Sequence, residues 1–230
     1  MDREELLRIS ENPDTDLEYL RHIQEEVAEK VIIRDEFNVP IDYLGGIDSA
    51  YIDDTAVTAC VILKCWNFKI IEEKSIISNV NFPYTSGYFV FREGPAILEI
   101  LSKMTTLPTI LIVNSHGIAH PSFAGCASHI GVIANLPTIG VAQNILCGTF
   151  ESEPSLIGEW VPIYYQNKIV GAYFLSQKKN RPIIVSPGHR ITLESAIEIV
   201  KKSIRGHKFP EPIYLAHELA KKIVRGISKC

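Results

Sequence analysis

Residues 109–142 constrain the fold more than any other part of the chain. The run "TILIV" (109–113) is apolar and rich in β-branched residues, the composition of a buried strand. Residues 124–134 read as a helix, and "PTIGVA" (137–142), bounded by Pro137 and Gly140, reads as a second strand. Strand, helix and strand in that order require a parallel pair, and the ligands of such sheets gather at the carboxyl ends of the strands. The first strand stops abruptly at Asn114-Ser115-His116-Gly117. Polar side chains therefore stand where α/β proteins often keep their chemistry.

The remaining segments fit around this unit. Leu17, Leu20, Ile23, Val27 and Val31, at spacings of three and four, predict an amphipathic helix over 15–31. Residues 43–49, 56–64, 68–77 and 87–91, rich in Val, Ile and aromatics, read as strands. A helix is expected to begin near Gly94-Pro95, since proline is tolerated in a first turn, and to run to about Met104. Residues 159–165 and 169–175 read as a hairpin around Gln166-Asn167, and 182–186 as a short strand before Pro187-Gly188. Helices over 192–204 and 212–226 close the chain. This order predicts an α/β fold, a mixed β-sheet flanked by helices. A length of 230 residues suits one domain over 1–230, with 1–40 a helical segment packed on it.

Composition excludes some functions and leaves others open. With 46% hydrophobic and 22% charged residues, the chain can bury a sizeable core and is not disordered. A net charge of −4 carries no global nucleic-acid signal. The charge is uneven, however: Lys201, Lys202, Arg205, Lys208, Lys221, Lys222, Arg225 and Lys229 face only Glu211 and Glu218 in the last thirty residues. Such a tail is either the solvated face of a terminal helix or a local phosphate-binding patch. Of the five cysteines, none forms a CxxC pair, and Cys60, Cys126 and Cys147 lie in apolar or small-residue contexts, as reduced core thiols do. "MDREELLRIS" lacks an apolar signal core, and no apolar run reaches the ~18–20 residues of a membrane span. A cytoplasmic protein without a membrane is expected, as a monomer.

Three oxygen-bearing side chains fall at the ends of apolar elements. Asp48 ends the strand of "YLGGIDSAY", after Gly45 and Gly46, which permit a bulge or a close backbone approach. Glu93 sits in "FREGP", just before a helix, and Asn114 ends the 109–113 strand. Each has an ordinary structural role if taken singly: a turn for Asp48, a helix cap for Glu93, an Asx-turn for Asn114. Together they form an oxygen-only set that suits Mg²⁺, which takes few protein ligands and keeps several waters. His116 and His120 are four apart, but Gly117 lies between them and Pro121 follows, so they do not form a continuous zinc-binding helix. His129 reads as a polar residue packed within its helix.

With these residues in place, the chain resembles the endonuclease V family of deoxyinosine-directed endonucleases. The resemblance rests on "GIDSAY" (46–51), "FPYTSG" (82–87), "FREGPA" (91–96), "SHGIAHP" (115–121), "ASHIGV" (127–132), "LPTIGVA" (136–142), "VSPGHRI" (185–191) and "PEPIYLAH" (210–217), in the family's order. It implies a ribonuclease H-like sheet and Mg²⁺-dependent hydrolysis (Mn²⁺ substituting) of DNA or RNA containing hypoxanthine, at the second bond on its 3′ side, as a step of DNA repair. The family's metal-binding acids map onto Asp48, Glu93 and Asn114, and its catalytic histidine onto His217. Its strand-separating wedge maps onto Pro83 and Tyr84. The pocket for the flipped base maps onto Phe89, Ser115, Gly140 and Leu146, with His120 also at the substrate. The chain departs from the family pattern in three places. Asn114 stands where the family has Asp, which removes a full charge. Gln143 stands where it usually has a phosphate-contacting Lys. "PYTSG" replaces "PYIPG". The resemblance therefore leaves two expectations: an endonuclease weakened at Asn114, or an inosine-binding protein without turnover. A nucleic-acid module without base preference is disfavoured by the intact "LPTIGVA".

Overall fold

The computed structural model describes residues 1–178 and 180–228. Its centre is β4 (Ile110–Val113), in which every residue is buried. Side chains alternate across a strand, and here the alternation feeds two cores. Leu111 and Val113 join Leu6, Leu20, Phe91, Ile97 and Ile130 on one face, while Ile110 and Ile112 join Ile139, Ile197, Val200 and Ile213 on the other.

The other strands are β1 (Tyr43–Ile52), β2 (Thr55–Lys64), β3 (Ile70–Asn79), β5 (Thr138–Ala142), β6 (Trp160–Tyr165), β7 (Lys168–Phe174) and β8 (Ile183–His189). They form one eight-stranded sheet in the order β3-β2-β1-β4-β5-β8-β7-β6. The pairs β1–β4 and β4–β5 are parallel, and every other neighbouring pair is antiparallel. This is the mixed α/β sheet that the strand–helix–strand unit requires. Helices α1 (Arg3–Ser10), α2 (Leu17–Lys30), α3 (Phe89–Lys103) and α4 (Cys126–Ala134) serve the first core. Helices α5 (Leu193–Ser203) and α6 (Glu211–Ile227) cover the opposite face.

Four local expectations are corrected. Residues 87–91 are not a strand, because α3 already starts at Phe89. Val90, Phe91, Gly94, Ile97, Leu98 and Leu101 are buried at helical spacing, and this periodicity overrides the strand preference of "YFVF". Gly94 and Pro95 accordingly lie inside α3 rather than at its start. Gly94 is the contact point for α1, since a Cβ there would come within 2.8 Å of Leu6 Cδ2. Glu93 is thus an interior helical residue, not a cap. The last strand does not end at Pro187-Gly188 but runs through both to His189. Helix α1, capped by Asp2 accepting from the Glu5 N–H at 2.9 Å, adds to the N-terminal segment.

The register of β1 sets the position of Asp48. Its pairing with β4 ends at Ile47–Val113, yet β1 continues for five more residues. Asp48 therefore sits in mid-strand, opposite Ala59 of β2, and not at a strand end. On the β4 side it is flanked only by the turn that begins at Asn114, whose N–H donates to Ile47 O at 3.1 Å. The start of α6 packs against β1 at Gly46. A Cβ on Gly46 would lie 2.1 Å from the Pro212 carbonyl carbon, so only glycine lets α6 approach this closely.

Among the described residues, no helix is long and apolar enough to cross a membrane. Cys60 and Cys126 are buried free thiols, and Cys65 and Cys147 are free and partly buried. Lys229 and Cys230 lie outside the described residues.

Gly46→Ala should cost about 2–3 kcal/mol, because the overlap is with main chain that cannot rotate away. Gly226→Ala, also in α6 but with nothing within 4 Å of its Cβ, should be neutral or slightly stabilising. Urea midpoints of the two variants check this. Equal midpoints would contradict the close approach of α6.

Candidate active site

Asp48 is 7% exposed and accepts two hydrogen bonds. Asn114 Nδ2 donates to Oδ1 at 2.6 Å, and His217 Nδ1 donates to Oδ2 at 2.6 Å. The three groups come from mid-β1, the turn after β4, and α6. A carboxylate accepts only, so the nitrogen of the Asn114 amide must face it. The same argument puts the His217 proton on Nδ1 and leaves Nε2 as the free ring nitrogen.

Glu93 reaches β1 from α3 and is 6% exposed. Tyr51 Oη donates to its Oε1. Burial pushes the Glu93 carboxyl up to about 7, with the negative charge of Asp48 adding to the effect and the hydrogen bonds from Tyr51 and Ser49 opposing it. Near neutral pH this acid therefore changes readily between its two forms. The Tyr51 hydroxyl is pushed strongly upward, first by burial and then by the Glu93 charge, and so stays a donor. Arg92 lies over the Tyr51 ring at 4.8 Å and donates to Phe82 O at 2.7 Å, which braces the ring.

Two hollows meet at this cluster, and Asn114 lines both. The first is a cavity of about 160 Å³ with Tyr84, Phe89, Ser115, His120, Cys126 and Leu146 in its wall. The second, of about 390 Å³, is walled by Asp48, His217, Gln143 and Lys221, and by the apolar Phe209, Ile213 and Tyr214. His217 and Lys221 are four apart on α6 and so share a face. Gly140 lines neither hollow. Its Cβ would fall 2.2 Å from the Gly117 nitrogen, so its lack of a side chain seats the Ser115–Gly117 turn. Pro83 also lies outside both walls, on the surface beside Tyr84, which is 72% exposed.

The histidines brace the cavity. His120 Nε2 donates to Gly87 O at 2.7 Å, and its Nδ1 accepts from the Ser122 N–H at 3.1 Å. Both nitrogens are engaged within the protein, so His120 offers the cavity ring carbons rather than a polar atom. Burial holds His120 down to about 4, which keeps the ring neutral. His116 Nε2 lies 2.8 Å from Asn144 O. His129 is fully buried in α4, edge-on to Phe91. Among the described residues, no three His, Cys, Asp or Glu side chains are grouped to hold a metal. Asn114 is the amide within an otherwise acidic set.

Sequence reasoning missed two supports. Gln24 of α2 is 2% exposed, donates to Gly87 O at 2.6 Å and accepts from Ser122 Oγ at 3.2 Å, which ties the 83–88 loop to the cavity wall. A polar residue between Ile23 and Val27, at the helical spacing of the buried face, was the available signal. Tyr51 was the other, and it stands inside the "GIDSAY" motif.

A mixed sheet with acidic and amide groups gathered about its central parallel strands defines a ribonuclease H-like α/β protein. The particular family is set by its relatives. The endonuclease V profile matches residues 25–218. Endonuclease V of Roseiflexus sp. is 37% identical over 206 residues, covering 90% of this chain and 92% of the relative. The crystal structure of endonuclease V from Streptomyces avermitilis superposes with a TM-score of 0.85 at 30% identity, covering 94% of this chain and 96% of that one. Endonuclease V of Ciona intestinalis, in complex with a 24mer DNA containing an inosine followed by a ribo-adenosine, superposes with a TM-score of 0.81 at 27% identity, covering 93% and 100%. The chain belongs to the endonuclease V family, a family of nucleases.

The raised Glu93 pKa predicts a pH-dependent stability. A carboxyl raised from 4.5 to about 7 by folding stabilises the fold fully below 4.5 and loses that contribution as pH rises through about 7. The full effect is on the order of 3 kcal/mol. Glu93→Gln abolishes it. Urea unfolding in chelator should therefore show the variant gaining on the native protein by at least about 1 kcal/mol between pH 5 and pH 8. Parallel stability curves would contradict the burial of an ionisable carboxyl here.

Proposed function

We propose that this chain is a metal-dependent endonuclease that cuts DNA or RNA at the second phosphodiester bond 3′ to a hypoxanthine. The observation that carries the reading is the Asp48–Asn114–His217 cluster, which stands between two hollows that share Asn114. The Ciona relative, bound to inosine-containing DNA, supports the substrate class. Residues 1–230 act as one domain with 1–40 packed upon it, and as a monomer.

The donor set fits Mg²⁺, with Mn²⁺ as a substitute: Asp48 and Glu93 supply hard oxygens, and Asn114 can supply Oδ1 if its amide turns away from Asp48. When bound, such an ion neutralises charge on the phosphate and lowers the pKa of a water. The remaining work belongs to side chains of this chain. Asp48 holds His217 in the Nδ1–H tautomer, which leaves Nε2 to accept a proton from water and, once protonated, to pass it to the leaving oxygen. Tyr51 orients the Glu93 carboxyl. Phe89, Leu146 and the carbon face of His120 enclose a bicyclic base, with the Ser115 hydroxyl as a polar contact, and Gly140 keeps the 115–117 turn in place. Extruding a base costs a few kcal/mol, least at a mispair. Tyr84, exposed beside Pro83 at the mouth of the cavity, offsets this by stacking in the gap. Gln143 and Lys221 face the phosphate.

A second reading, an inosine-binding protein that does not cleave, is favoured by one contact. The Asn114 amide already satisfies Asp48 Oδ1, so a cation must displace it.

Asn114→Asp should raise Mg²⁺-dependent nicking of a deoxyinosine strand at least about tenfold, a barrier change of about 1.4 kcal/mol. Brisk nicking by the native chain, unchanged in the variant, would exclude Asn114 from the ligand set. A variant that binds inosine but does not nick would favour the binding protein. Tyr84→Ala should weaken binding of an inosine-containing duplex by about tenfold, within the 1–3 kcal/mol of base–aromatic stacking. An unchanged dissociation constant would remove the wedge role.

A further inference from the structure

We propose that the second hollow is a nucleotide subsite, in which the base immediately beyond the scissile phosphate stacks on Tyr214 while Lys221 meets its phosphate. The proposal rests on the nuclease reading above and deepens it.

The walls of this hollow do more than a metal and its waters require. Asp48, Asn114 and His217 form a polar side, but Phe209, Ile213 and Tyr214 form an apolar one. An ion with its hydration shell gains nothing from three apolar side chains. A nucleotide gains on both sides, because it carries a planar apolar base and an anionic phosphate. The volume, about 390 Å³ against about 160 Å³ for the first cavity, leaves room for more than the reacting atoms.

Tyr214 is prepared for stacking. Its ring lies flat on His207, with centroids 3.4 Å apart and planes within 9°. A ring already held by a neighbour loses little rotamer freedom when a second ring packs on it. Lys221 extends from α6 one turn after His217, is exposed, and forms no ion pair among the described residues. Its ammonium is free to meet a phosphate.

Connectivity supplies the register. Among the described residues, Asn114 is the one common to both walls. A strand with hypoxanthine in the first cavity and its scissile phosphate at Asp48 must place the next nucleotide in the second hollow. If the second bond is cut, that nucleotide lies two positions 3′ to the hypoxanthine. Stacking is tolerant of sequence, so the subsite requires a base there but not a particular one.

The test is fluorescence anisotropy in chelator with deoxyinosine single strands that carry one abasic residue at the first, second or third position 3′ to the lesion. The native chain should lose about fivefold or more in affinity at the second position, and less at the first and third. Tyr214→Ala should lose this position dependence, and Tyr214→Phe should keep it. A native chain indifferent to the second base, or an equal penalty in Tyr214→Ala, would overturn the subsite. The scan on the native chain decides even if Tyr214→Ala does not fold. Retained inosine preference without this Tyr214-dependent penalty would overturn the proposal alone. Loss of inosine preference over an adenosine strand would overturn the functional reading and the subsite with it.

Discussion

A carboxylate buried in the middle of a strand is expensive to leave unpaired, and the environment of Asp48 organises the rest of this molecule. Its two oxygens are met at 2.6 Å by an amide from the turn after β4 and by an imidazole from α6. The first partner depends on the parallel β1–β4 register, which pairs Ile47 with Val113 and so brings Asn114, the next residue, beside Asp48. The second depends on Gly46, whose missing side chain lets the start of α6 lie against β1. The two cores hold these elements in place, one through Leu111 and Val113 and the other through Ile110 and Ile112.

The electrostatics of the cluster turn on the amide that stands beside its carboxyl groups. Two full charges 4 Å apart at a partly screened site repel by about 4 kcal/mol. A carboxylate at position 114 would add such a repulsion to Asp48 and Glu93, whereas the amide adds a charge-assisted hydrogen bond of about 1.5–3 kcal/mol. Asn114 therefore favours the metal-free protein. The same contact works against a cation, which would have to displace the amide and would find one less unit of negative charge. Glu93, already held up near 7 by burial and by Asp48, shows how little further negative charge this site tolerates without a counter-ion.

Most elements were legible in the sequence, because hydrophobic periodicity is a local signal. The strands over 43–49, 56–64 and 109–113, the hairpin at Gln166-Asn167 and the two closing helices were found within a few residues of their bounds. The reading failed where distant partners decide. "YFVF" has the composition of a strand, but Val90 and Phe91 are buried in the core that α1, α2 and α4 share, and the segment is helical. Asp48 looked like a strand end because a buried acid inside a strand is improbable without its partners, and those partners are 66 and 169 residues away. Gln24 and Tyr51 were overlooked for the same reason, since Gly87 O and Glu93 are remote in sequence. The motifs offered Asp48, Asn114 and His217 as candidates, but spacing alone could not reveal that Asn114 and His217 both bond to Asp48.

The Asn114 amide is bonded to Asp48 Oδ1, and in the proposed reading a cation must displace it. Nuclear magnetic resonance of the Asn114 side-chain N–H pair during Mg²⁺ titration tests it most directly. This pair, bonded to Asp48 in chelator, should shift in step with metal binding as the amide turns its oxygen inward. Saturation of the protein with Mg²⁺ while the Asn114 amide signals stay in place would contradict it.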